Sequence, residues 1–135
     1  MVWVVTGGTK GLGRSLVMAL VNEGHTVVAM GRDASALAEL HDGERIHAVH
    51  VDLADPEAIA SAATEVLALP PVAASGVSGL LHNAGDVAPV GAMSALDDAA
   101  WARALQVNLV GVQQLTRGLW TGLVAGRARV VTISS

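Results

Sequence analysis

Cysteine, phenylalanine and tyrosine are all absent from these 135 residues, and charged side chains make up only 15% of them. The missing Cys excludes disulfides, Cys-ligated zinc, iron–sulfur clusters and thiol catalysis, and it fits a reducing compartment. Aromatic packing rests on Trp3, Trp101 and Trp120 alone. No apolar run reaches the roughly 18–20 residues needed to span a bilayer, because Gly, Arg, Asp or His interrupts every stretch. A basic leader is lacking too: Met1-Val-Trp-Val-Val-Thr6 runs straight into glycines and reads as a strand, so a cytoplasmic protein is expected. Eight basic against twelve acidic residues leave a formal charge of −4. That balance argues against a protein that coats nucleic-acid phosphates, while leaving room for a local basic pocket.

What is abundant is small and aliphatic. The chain holds 24 Ala, 20 Val and 16 Leu within an apolar fraction of 52%, enough burial to offset the entropy of ordering and to exclude intrinsic disorder. A single domain over residues 1–135 is expected at this length, with thin and closely spaced core layers.

Strands and helices alternate from the first residue. Val2 to Thr6 is an apolar run ended by Gly7-Gly8, and Gly11 to Glu23 places Leu12, Leu16, Ala19 and Leu20 at helical spacing before Gly24. A second strand, His25 to Met30, precedes a short helix from Ala34 to Leu40 with Asp33 as its N-cap. Ile46 to Val51 is the third strand. Asp55-Pro56-Glu57 then opens a helix with a capping acid, a first-position Pro and a first-turn acid, and its apolar face is Ile59, Ala62, Ala63, Val66 and Leu67. Pro70-Pro71 ends that helix, and a loop to Gly76 leads to the fourth strand, Val77 to His82. A long helix is expected over Asp97 to Leu119, with Leu105, Leu109, Val112 and Leu115 on one face, before a fifth strand from Arg129 to Ser134. Near-continuous apolar strands separated by helices predict a parallel, doubly wound α/β sheet covered on both faces. Such sheets bind ligands at the carboxyl ends of their strands.

The strongest local signal is Thr6-Gly7-Gly8-Thr9-Lys10-Gly11-Leu12-Gly13, set between a strand and a helix. Glycines there allow a tight turn and let a pyrophosphate approach the amides and positive end of the helix, and a side chain at Gly11 or Gly13 is expected to obstruct it. The Gly-Lys-Ser/Thr ending of an ATPase phosphate loop is missing. His25, His41, His47, His50 and His82 show no ligand spacing, so no metal site is supported. Ser134 and Ser135 carry no hydrolase elbow.

The spacing Thr-Gly-x-x-x-Gly-x-Gly over residues 6–13 resembles the cofactor turn of the short-chain dehydrogenase/reductases. Four later segments match in order: Asp52-Leu53, Asn83-Ala84-Gly85, Trp101 through Val107-Asn108-Leu109-Val110-Gly111, and Ile133-Ser134-Ser135. The resemblance runs over the whole chain. It implies a Rossmann-like sheet of about five strands in the order 3-2-1-4-5, incomplete at its C-terminal end. It implies cofactor binding by Thr6, Gly7, Thr9, Lys10, Gly11, Leu12 and Gly13, by Asp52 and Leu53, and by Asn83, Ala84 and Gly85. Asp52 would contact the adenine through its carboxylate, Asn83 would brace the sheet beside the cofactor, and Asn108 would hold a water or backbone group near the active centre. Without the resemblance, Asp52 serves equally to end a strand, Asn83 to satisfy a turn and Asn108 to pair within a helix. His82 departs from the pattern, standing where many family members have a first Asn.

Charge bears on the choice of cofactor. An acid at the end of the second strand suits an unphosphorylated ribose, whereas a 2′-phosphate needs a cation there. That strand ends in Met30-Gly31-Arg32, so Arg32 can offer a planar fork and Lys10 a point charge. NADP(H) is favoured, and Asp33 keeps NAD(H) as the alternative.

In the resembling family, a Ser closing the fifth strand bonds the substrate carbonyl or alcohol, and Ser135 aligns with it. A Tyr then moves the proton, with a Lys four residues later lowering its pKa. This chain has no Tyr. Three readings follow. The first is the N-terminal portion of an NADP-dependent carbonyl or alcohol oxidoreductase, inactive as 135 residues. The second is a non-catalytic nucleotide-binding module or sensor. The third is an interaction subunit using the apolar fifth-strand edge. Partners are expected to be a small carbonyl or alcohol substrate and, through Asp97 to Leu119, a second copy of the chain, with neither nucleic acid nor membrane among them.

Overall fold

The computed structural model describes residues 1–134. Five parallel strands, β1 (Val2–Thr6), β2 (Thr26–Gly31), β3 (Ile46–His50), β4 (Gly79–His82) and β5 (Arg129–Thr132), form one sheet in the order β3-β2-β1-β4-β5. The register sets Thr6 beside Met30 and Val5 beside Leu81, so β1 lies at the centre with the chain departing to either side of it. That reversal of strand order opens a crevice at the carboxyl end of β1.

Alternation along β1 divides the core. Val2 and Val4 face a layer built by α3 (Pro56–Ala68) and α6 (Gly111–Gly118), where Ile59, Ala62, Ala63, Val66 and Leu115 are buried. Val5 faces α1 (Gly11–Asn22) and packs with Val17, Val27, Ala29 and Leu40, the last from α2 (Ala34–Leu40). Small residues permit close approach: Gly118 comes so near Ala63 that an added Cβ would lie 2.7 Å from that methyl. Asp33, Asp55 and Asp97 cap their helices as charged acceptors, Asp33 taking the Ala36 amide at 3.0 Å and Asp55 the Glu57 amide at 2.9 Å.

Three sequence expectations need correction. Pro70–Ser75 is a short helix, α4, and not a loop: Pro70 and Pro71 occupy its first turn, where a missing amide hydrogen costs nothing. On α1 the buried residues are Gly13 and Val17, whereas Leu12 and Ala19 face outward. The long helix is interrupted. α5 (Asp98–Leu105) passes into a π-helical turn, Gln106–Val110, then α6, and Trp120–Ala125 forms a separate α7. The wider turn shifts the phase of the helix, so Val107, Gly111, Leu115, Leu119 and Leu123 form the buried stripe at intervals of four while Leu105 and Leu109 face outward. β5 is exposed throughout its length. Among the described residues, no helix is long and apolar enough to cross a membrane.

Candidate cofactor site

The carboxyl ends of the strands open into a cavity of about 390 Å³. Thr6, Gly7, Thr9, Lys10, Gly11, Leu12 and Gly13 line it from the β1–α1 turn, Arg32 from the end of β2, Asp52 and Leu53 from beyond β3, and Asn83, Ala84 and Gly85 from beyond β4. Every residue that the sequence assigns to a cofactor is therefore at this cavity. Of the two residues assigned to catalysis, Asn108 is not in the lining but bonds the backbone of Asp86, which is, and Ser135 lies outside the described residues.

Two glycines of the turn do different work. Gly11 sits at φ +52° with nothing within 4 Å of where a Cβ would project, so its absent side chain leaves open space at the start of α1. Gly13 is different: a Cβ there would overlap the Gly7 carbonyl and lie 2.5 Å from Asn83 Nδ2. A side chain at Gly13, itself in the cavity lining, would therefore meet the β1–α1 turn and the Asn83 amide, and so obstruct the seating of α1 against that turn. Lys10, at the α1 N-cap, makes no side-chain cap bond, in contrast to the Asp caps of α2, α3 and α5. First-turn amides at the positive end of a 12-residue helix are consequently left without a side-chain acceptor where the space is open.

Thr6 and Asn83 knit β1 to β4 beneath this turn. The buried Thr6 hydroxyl donates to the Leu81 carbonyl at 3.4 Å and accepts the Asn83 and Ala84 amides, each at 3.0 Å. Asn83 Nδ2 donates to the carbonyls of Thr6 (3.1 Å) and Gly7 (3.3 Å). Both side chains are occupied in shaping the turn, which makes Thr6 a brace whose hydroxyl has little capacity for a ligand. Asn108 does the same for the next loop, accepting the Asp86 amide at 2.7 Å and donating to the Asp86 carbonyl at 2.6 Å.

Beyond the assigned residues, Met30, Gly31, Asp33, Ala36 and Val51 also line the cavity. Asp86 and Val107 do so too, and Arg103 on α5, itself outside the lining, bridges two lining residues: Nη2 lies 3.3 Å from Asp52 Oδ2, and Nε lies 3.9 Å from Asp86 Oδ2. Partial burial pushes the Asp52 carboxyl up, yet the Ala54 amide, the Arg103 bond and the charges of Arg103 and Arg32 together hold it below the usual carboxylate range. Nothing in the sequence links Arg103 to Asp52, 51 positions earlier. Only its place between Trp101 and Asn108, and that of Asp86 directly after Gly85, offered a hint.

His82 ends β4 under the same loop. Its Nε2 lies 2.8 Å from Thr116 Oγ1, whose own hydrogen goes to the Val112 carbonyl at 2.8 Å. Nε2 is therefore the donor, and Nδ1 is left buried without a partner. Burial pushes the imidazole below its usual range.

A glycine turn feeding an uncapped helix end, set at the point where strand order reverses, defines a Rossmann-like nucleotide-binding domain. A family model described as short chain dehydrogenase matches residues 1–135, and the chain belongs to that oxidoreductase family. Dehydrogenase/reductase SDR family member 7B of Bos taurus is 36% identical over 144 residues, covering 98% of this chain and 43% of the relative. NADP-dependent 3-hydroxy acid dehydrogenase YdfG of Shigella flexneri is 30% identical, with 100% and 54% covered. Among solved structures, the closed form of serine dehydrogenase complexed with NADP+ superposes with a TM-score of 0.85 at 28% identity, over 100% of this chain and 54% of that one. The KRED1-Pglu enzyme gives 0.88 at 30% identity, with 99% and 56% covered. The chain spans about half the length of the curated relatives it matches.

Proposed function

We propose that this chain binds NADP(H) in the cavity and forms the cofactor-holding part of an oxidoreductase acting on carbonyls or alcohols. The observation that carries the reading is the cradle at Gly11: open space at an uncapped helix end, in a cavity that Arg32 also lines. An anionic pyrophosphate suits the first, and a 2′-phosphate suits Arg32, which among the described residues has no ion-pair partner of its own. Asp33, the acid that would favour NAD(H), is engaged in capping α2 through Oδ1. One relative's name records NADP dependence and one similar structure holds NADP+. When bound, the nicotinamide supplies a hydride donor or acceptor. The chain's own residues would hold the cofactor: the α1 amides and Lys10 at its pyrophosphate and Arg32 at its 2′-phosphate, with Asn83 and Thr6 keeping the turn in place. No Tyr phenol exists in the 135 residues to move the accompanying proton.

Titration with NADPH and NADH tests the reading. Wild type is expected to prefer NADPH. Arg32→Asp removes a charge-assisted contact worth about 1.5–3 kcal/mol, so NADPH affinity should fall by about ten-fold or more and the preference should move toward NADH. An unchanged ratio excludes Arg32 as the phosphate ligand.

A further inference from the structure

The edge of the sheet opposite β5 is β3, and its register leaves half of its polar groups facing away from β2. Val27 pairs with Ile46, Ala29 with Ala48 and Gly31 with His50. In a parallel ladder the β2 residues of these pairs bond the neighbours of their partners, as the Val27 amide bonds the Arg45 carbonyl and the Val51 amide bonds the Gly31 carbonyl. The amides and carbonyls of Ile46, Ala48 and His50 therefore point outward. An open edge of this kind invites another strand, and proteins usually blunt it with lysine, an acid or proline. β3 reads Ile-His-Ala-Val-His and holds none of them.

What closes the edge is the loop between α2 and β3. Asp42 Oδ1 takes the Ile46 amide at 2.7 Å, and the Asp42 and Gly43 amides bond the Ile46 carbonyl at 3.2 and 3.3 Å. At the next outward position the Ala48 amide donates to His41 Nδ1 at 3.2 Å. His41 is exposed, and its ring meets His47 edge-on with 6.1 Å between centroids. Beyond it the cover stops. Among the described residues, the Ala48 carbonyl and the His50 amide and carbonyl have no hydrogen-bond partner in the protein, and the His50 ring is engaged elsewhere, by the Arg32 carbonyl at 3.0 Å.

We propose that the β3 edge is a latent interface for a second copy of this chain, held shut by His41. The outward groups are self-complementary. A two-fold antiparallel approach that sets Ala48 opposite His50 lets each residue exchange both of its groups, two bonds from each of two symmetric pairs and four in all. His41 holds the Ala48 amide in each copy and so removes two of the four. Nδ1 can accept only in the neutral ring, with the hydrogen on Nε2. The proposal is independent of the cofactor reading.

The test uses the 135-residue chain at about pH 8, where an unperturbed imidazole is neutral. Amide exchange read by NMR should show protection of Ala48 falling about two- to twelve-fold in His41→Ala, the scale of one hydrogen bond, while Ile46, held by Asp42, keeps its own. His41→Asn, whose side-chain oxygen restores an acceptor, should recover the protection. Light scattering over rising concentration should give His41→Ala a mass of about twice the wild-type value, with His41→Asn at the wild-type value. Adding Ala48→Pro to His41→Ala deletes the freed amide at an edge position that tolerates proline, and should return the mass to that of wild type. Equal protection of Ala48 in wild type and His41→Ala, or a loss shared equally by Ile46, overturns the proposal. So does a released Ala48 amide without any gain in mass, or an association that survives Ala48→Pro.

Discussion

Alanine at Gly13 and alanine at Gly11 should fail in different ways, although the two glycines are two positions apart in one motif. At Gly13 the new Cβ overlaps the Gly7 carbonyl, a backbone atom that cannot rotate aside, and stands 2.5 Å from Asn83 Nδ2. Comfortable contact needs about 3.5 Å, so α1 must move away from the Gly7 turn by on the order of 1 Å. Overpacking of this kind costs about 1–3 kcal/mol. The same movement disturbs the Asn83 bonds to the Thr6 and Gly7 carbonyls, each worth about 0.5–1.5 kcal/mol. The sum is about 2–6 kcal/mol from a chain whose whole stability is expected to be about 5–15 kcal/mol. A fall of about 10 °C or more in melting temperature follows for a chain of this size. At Gly11 nothing lies within 4 Å, and only the φ of +52° opposes a side chain, a strain of about 1–2 kcal/mol. Gly11→Ala should therefore melt within several degrees of wild type while losing most of its NADPH affinity. Thermal denaturation and ligand titration on the two variants check this. A Gly13→Ala variant that melts with wild type, or a Gly11→Ala variant that binds normally, refutes the division of labour.

The remaining expectations concern pH and turnover. His82 is buried and its imidazole is held below the usual value of 6.5. The unfolded chain therefore takes up this proton first, and stability present above the usual value is lost as pH falls through the folded one. Urea denaturation across pH 7.5 to 5 should show that decline in wild type and a smaller one in His82→Gln, with equal slopes counting against the assignment. The 135-residue chain should give no carbonyl reductase turnover with NADPH, because a positioned proton donor contributes about 10²–10⁴ in rate and no Tyr is present. Clear turnover by the chain alone, abolished by Ser135→Ala, would show that another group moves the proton.

Much of this was legible from residue order. Strand runs ending in glycine or a polar residue predict the sheet, and Asp33, Asp55 and Asp97 mark helix starts because a carboxylate can take first-turn amides that have no other acceptor. The motif segments were legible for the same reason, since each depends on a local backbone shape that few residues allow. Helical phase was not. Leu105 and Leu109 fit a 3.6-residue period, but the π turn at Gln106–Val110 breaks that period, and Val107 is buried while both leucines face outward. Nor was the helix at Pro70–Ser75, where two prolines read as a stop and serve as a start.

What the sequence determined by itself was the class of structure and the place of its site, because hydrophobic period, capping acids and glycine turns act over a few neighbouring residues. Tertiary structure decided what each site residue does. Gly13 proves to be a packing glycine because the Gly7 carbonyl and the Asn83 amide lie against α1, Thr6 a brace because β4 lies beside it, and Asp52 one arm of a bridge because α5 brings Arg103 across 51 positions of chain. The absence of Tyr, visible from composition alone, bears on catalysis. The bridge from Arg103 to Asp52 and Asp86, two residues of the cavity wall, is visible only in the fold.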